Sequence, residues 1–155
     1  MIYVALFRGR SLVSRLIRWQ TRSCYSHAAL ARFEDGQLVV LEAWHVGGVA
    51  CGLVDERHTA GTQIDLFEAA GLDGSIAWDN ARETLGQSYD WLGVLRFVSR
   101  RSHRRKARRW FCSEHVMVFA RLAGANLLTG PAENVSPGML ARSPLLVLAR
   151  EVVTG

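Results

Sequence analysis

Tyr25-Ser26-His27-Ala28-Ala29-Leu30-Ala31-Arg32-Phe33 and Gln37-Leu38-Val39-Val40-Leu41-Glu42-Ala43-Trp44 read as two strands, and the Glu34-Asp35-Gly36 between them is turn chemistry. On the first strand Tyr25, His27, Ala29, Ala31 and Phe33 share a face. The loop length decides what His27 meets. With two or four loop residues Phe33 pairs with Leu38, so His27 lies opposite Trp44 and Ala29 opposite Glu42. Glu42 is then the diagonal neighbour of His27, roughly 7–8 Å away between backbones and within reach of a long side chain. A three-residue loop flips the register and brings His45 to His27 instead. A histidine on a face of small residues is most often a satisfied core residue. A carboxylate beside it changes that, because it fixes the imidazole tautomer and leaves the other ring nitrogen free to face a thiol. The run Val39-Val40-Leu41-Glu42-Ala43-Trp44 is too apolar for Glu42 to be a solvated strand residue.

Working outward, Ile2 to Phe7 reads as a buried strand. Arg10 to Arg22 carries Leu12, Leu16 and Trp19 at helical spacing, with Val13 and Ile17 beside them. Gly47 to Gly52 continues the sheet with a bend. Ser75 is suited to cap a helix running to about Leu85, with Gly86 ending it. Asp90 to Ser99 reads as a further helix, and Ser113 to Leu122 as an amphipathic helix stopped by Gly124. Pro137 suits the first turn of a short helix, and Leu145 to Val152 is a last strand. With no internal repeat and no low-complexity linker, residues 1–155 read as one α+β domain, an antiparallel sheet packed against helices.

The 155 residues are ample for a core, and 49% hydrophobic content excludes a disordered chain. No apolar run reaches the roughly 18 residues of a membrane span. Ile2 to Phe7 is too short for a signal peptide, and Arg8 and Arg10 follow it rather than precede it, so the expected location is the cytoplasm. Three cysteines, an odd number, argue against a disulfide framework. The net charge of +5 is local. Arg100, Arg101, Arg104, Arg105, Lys106, Arg108 and Arg109 crowd into one stretch, a candidate anion-binding segment.

Cys112 stands where a loop turns into a helix. A thiol there feels the positive end of the helix dipole and nearby unpaired N–H groups, both of which favour the reactive thiolate. The same N–H groups suit an oxyanion formed in acyl transfer. Position alone weighs evenly between this role and that of a small buried apolar residue.

The ordered set Leu6-Phe7-Arg8-Gly9, Tyr25-Ser26-His27-Ala28-Ala29-Leu30, Leu41-Glu42-Ala43, Leu85-Gly86-Gln87-Ser88-Tyr89-Asp90, Phe111-Cys112-Ser113-Glu114-His115-Val116 and Val135-Ser136-Pro137-Gly138-Met139-Leu140 spans nearly the whole chain. It resembles the permuted NlpC-type papain-like family, the YiiX/YaeF-like group related to lecithin retinol acyltransferase. In that family the histidine strand precedes the cysteine helix. The resemblance implies a circularly permuted papain-like fold, with Cys112 as nucleophile, His27 as base and Glu42 orienting it. It also implies Tyr89 near the oxyanion; Ser113, at the start of the same helix as Cys112, is a further candidate for supporting it. The Gly-Asp that often opens the family's first strand is absent, and the arginine-rich stretch is not a feature of the family.

The function expected is a thiol hydrolase or acyltransferase acting on an amide, ester or thioester through an acyl-enzyme, with no metal or organic cofactor needed. Its substrate would be a small molecule, lipid or peptide. A silent basic module binding nucleic acid or an anionic membrane is the alternative. A zinc protein built on Cys24-x-x-His27 and Cys112-x-x-His115 is a lesser rival, because Cys24 and His27 point to opposite faces of a strand. Trp19, Trp44, Trp78, Trp91 and Trp110 read as core or cleft-lining, Cys24 and Cys51 as structural. His45 is the reserve partner for His27, whereas His58, His103 and His115 receive no catalytic role.

Overall fold

Asp35 and Gly36 both take positive φ, 48° and 82°, the backbone of a two-residue type I′ hairpin turn. That turn closes β2 (His27–Glu34) on β3 (Gln37–Trp44) with Phe33 opposite Leu38, so the register that brings Glu42 toward His27 is the one adopted. The protein is represented by a computed structural model that describes residues 1–90 and 109–155. Among the described residues, β1 (Tyr3–Arg8), β4 (Gly48–Leu53), β5 (Gln63–Ala69) and β8 (Leu146–Val153) complete an antiparallel sheet ordered β4-β3-β2-β1-β5-β8. A short parallel pair, β6 (Ser88–Tyr89) and β7 (Arg109–Trp110), forms a second, two-stranded sheet beside β4.

The helices are α1 (Leu12–Thr21), α2 (Val54–Arg57), α3 (Gly74–Arg82), α4 (Cys112–Leu122) and α5 (Pro137–Leu140). One sheet face, including Leu6, Leu30 and Leu41, packs against Val116, Met117 and Ala120 of α4 and Trp78 of α3. The other gathers Ala5, Phe7, Ala29, Val40, Ile64 and Leu66. Each large apolar side chain buried this way contributes about 1.5–3 kcal/mol. The result is a mixed α+β architecture, as expected.

Several boundaries differ. The cap of α3 is Asp73, whose Oδ1 accepts from the Ile76 N–H at 3.1 Å, not Ser75, and the helix stops at Arg82 rather than near Leu85. Pro137 does open a short helix. β5 lies in the interior of the sheet yet was not anticipated, because buried Asp65 interrupts its apolar reading. That carboxylate is held by Arg8 at 2.6 Å and by the Tyr25 hydroxyl. On α1, Leu12, Leu16 and Trp19 face solvent instead of the core, so Trp19 is no core residue, although it does line a surface groove with Arg15, Arg18 and Arg22. Of the expected helix over Asp90–Ser99 only Asp90 is described; the rest of it, Trp91, His103 and all of the basic run except Arg109 lie outside the described residues.

Gly48 carries a tight crossing. Its φ is +76°, and a Cβ there would fall 2.1 Å from the Gln87 carbonyl oxygen. The adjacent Val49 N–H donates to the same oxygen at 2.8 Å, so β4 is fixed to the segment that leads into Tyr89. Gly48→Ala combines a strained left-handed backbone with a backbone clash. The expected loss is about 2 kcal/mol or more of stability, read as an earlier urea midpoint. An unchanged midpoint would contradict this close approach.

Candidate active site

Glu42 is fully buried and collects three donors. His27 Nε2 lies 2.6 Å from Oε2, His58 Nε2 3.0 Å from the same oxygen, and Arg57 Nε 2.7 Å from Oε1. Burial pushes the Glu42 carboxyl up, but its interactions with His27 and His58, hydrogen bonds from both rings among them, pull it well below the usual carboxylate range. The permanent charge of Arg57 acts in the same direction. An ionised carboxylate only accepts, so both imidazoles place their proton on Nε2. For His27, burial depresses the pKa more than Glu42 raises it. At neutral pH it is a neutral ring with Nδ1 unprotonated, the form a general base needs.

The ring is held by its neighbours. Trp44 meets it edge-on at 4.6 Å and Phe7 lies 5.1 Å away. Phe7 also stacks on His58 at 4.4 Å. His45, the reserve partner, lies against Trp44 and does not share Glu42's hydrogen bonds with His27 and His58. Arg57 and His58 were not foreseen as site residues. They belong here because α2 turns the chain after β4 back under Glu42, and no sequence spacing signals that return.

Cys112 is the first residue of α4 and is buried with Phe111 and Ile17. The backbone N–H groups of Ala28 and Ser113 lie near its sulfur and favour its anion. Ala28 follows His27, so thiol and imidazole sit at the same end of β2. The helix start does favour the thiolate, yet burial outweighs it and pushes the thiol up to about 12. The expected low-pKa thiolate is therefore corrected: the resting group is a protonated thiol, enclosed where solvent cannot stabilise its anion.

Tyr89 packs on the same cluster, and burial raises its phenol well above the usual value, so it keeps its proton. The Ser113 hydroxyl is engaged elsewhere, donating to the Val135 carbonyl. Arg109 is exposed and shares a cavity of about 380 Å³ with His45 and Tyr89. Arg100, Arg101, Arg104, Arg105, Lys106 and Arg108 lie outside the described residues. The Cys24-x-x-His27 and Cys112-x-x-His115 pairs do not assemble: Cys24 is exposed, and His115 Nε2 bonds Thr84 at 2.9 Å.

His115 sits one turn below the thiol. The Thr84 hydroxyl donates to the Ala81 carbonyl at 2.6 Å, so the His115 Nε2–H is the donor to Thr84. Burial lowers its pKa to about 3, below its unfolded value near 6.5. A depressed histidine pKa means the unfolded chain binds more protons. The stabilisation is complete above about pH 6.5 and is lost on acidification, at about 1.4 kcal/mol per unit between roughly 6.5 and 3. His115→Leu is expected to flatten the urea-midpoint profile between pH 7 and pH 5; an unaltered slope would contradict the buried neutral ring.

No known family model matches this sequence, and no curated protein matches it. A solved structure does. The chain is similar to a crystal structure titled metalloprotein yiiX from Escherichia coli O157:H7, of the DUF1105 group. The two share 20% identity, with a TM-score of 0.72 over 97% of this chain and 96% of that one. The fold is therefore of the yiiX kind over essentially the whole length. No helix among the described residues is long and apolar enough to cross a membrane.

Proposed function

We propose that the protein is a thiol-dependent acyl hydrolase or acyltransferase of permuted papain-like design. The observation that carries this reading is the pairing of His27 Nε2 with an ionised, three-donor Glu42, at the end of β2 where the Ala28 backbone lies near the Cys112 sulfur. Glu42 fixes the tautomer, and His27 Nδ1 takes the thiol proton as sulfur attacks the carbonyl of an amide, ester or thioester. The S–C bond forms and the carbonyl π pair moves to oxygen. The amides at the start of α4, with the Tyr89 phenol, stabilise that oxyanion. Collapse expels the leaving group, which takes the proton from His27. Water or another acceptor then gives its proton to His27 and releases the acyl group. Because thiol and imidazole are both neutral at rest, proton transfer accompanies attack.

His27→Ala is expected to retain the fold and lose at least about 100-fold in kcat on a panel of thioesters, esters and peptide amides. Full turnover in that variant would remove the base from the account.

A second reading follows from the donor set. His27, Glu42 and His58 each offer a ligand atom within 4.8 Å of the others. Two imidazoles and a carboxylate suit a zinc-like ion with an open position, and the similar yiiX structure is titled a metalloprotein. Such an ion would polarise a carbonyl or activate water. Arg57 on Glu42 Oε1 opposes it, adding a cation beside the cation site. Purified protein with stoichiometric zinc and activity abolished by a chelator would favour this reading over the thiol.

A further inference from the structure

α1 turns its apolar stripe outward. Leu12, Leu16 and Trp19, at i, i+4 and i+7, share one face and are 81%, 48% and 78% exposed, whereas Ser14 and Ile17 face inward. A helix that only packs on a core shows the reverse. Arg15 and Arg22 are exposed beside the stripe, and with Arg10 and Arg18 they line a groove of about 780 Å³ next to Trp19. From Arg10 to Cys24 the sequence holds no acidic residue.

We propose that this face docks the protein on an anionic lipid surface. Trp19, Leu12 and Leu16 enter the boundary between headgroups and acyl chains, and the arginines engage lipid phosphates. Charge selects this occupant. A second copy would set arginines against arginines, and a nucleic acid would use the cations while leaving two leucines in water. An anionic bilayer takes both. The placement also has a consequence for the site. Ile17, on the inner side of α1, packs with Phe111 and Cys112, so docking brings the lipid surface within about one helix diameter, ~10 Å, of the thiol. The proposal does not depend on the catalytic reading.

The test is sedimentation of the full chain with phosphatidylcholine vesicles, with and without phosphatidylglycerol. Binding is expected to the anionic vesicles and to weaken with salt. Leu12→Ser/Leu16→Ser/Trp19→Ser should lose more than about tenfold in affinity, and Arg15→Gln/Arg22→Gln roughly fivefold per arginine. All five side chains are exposed, so the melting temperatures should stay near that of the parent. The proposal is overturned if the triple variant binds vesicles as well as the parent, which would transfer the affinity to the basic run. It is equally overturned if the parent ignores vesicles while binding DNA, or while forming a dimer that the triple variant abolishes.

Discussion

Replacing Glu42 with alanine is expected to lower the folding stability by about 3–5 kcal/mol, the cost of breaking a buried ion pair by removing one partner. Arg57 loses its anion, and His27 and His58 lose the acceptor for their Nε2 protons. Against the 5–15 kcal/mol that holds a typical domain together, this is a large fraction. Glu42→Gln keeps the size and one acceptor, so it should cost less stability but still disturb the His27 tautomer and slow turnover. Acid should act in the same direction. The folded carboxyl titrates below its ordinary value near 4.5, so its stabilisation is present above that pH and is lost as pH falls toward the folded pKa. Urea unfolding of the three proteins at pH 7 and pH 4 measures both effects. A Glu42→Ala midpoint equal to that of the parent would mean that the four-residue cluster contributes nothing to the fold.

Cys112→Ser is expected to remove turnover, by about a thousandfold or more, while leaving stability within about 1 kcal/mol. The serine hydroxyl fits the same space, near the same backbone amides of Ala28 and Ser113. It is a far weaker nucleophile, and the neutral His27 has no thiol proton to draw on. Steady-state rates beside a melting curve separate the two effects. Undiminished rates in the variant would exclude Cys112 as the nucleophile.

The hairpin was legible because Asp35-Gly36 has few backbone options, and a fixed register carries Glu42 to His27 without further information. Cys112 at a helix start was legible from the change of pattern after the basic run. Its resting state was not, since a helix N-terminus argues for a thiolate and only the packing of Ile17 and Phe111 shows that burial prevails. β5 escaped because Asp65 reads as solvent-facing until Arg8 and Tyr25 are seen to neutralise it. Arg57 and His58 escaped for a different reason: they reach Glu42 through a single helical turn, α2, whose direction no local pattern encodes. On α1, helical spacing located the stripe of Leu12, Leu16 and Trp19 correctly, but periodicity alone cannot say which side of a helix faces the core.

The most direct test of the thiol site is intact-mass and peptide mapping of the protein after brief reaction with an activated acyl ester, at pH 7, with and without a chelator. The account predicts one acyl group on Cys112, absent in Cys112→Ser, strongly reduced in His27→Ala and indifferent to chelator. Acyl transfer or hydrolysis that persists in Cys112→Ser, leaves Cys112 unmodified and stops when chelator is added would contradict it, and would assign the chemistry to an ion held by His27, Glu42 and His58.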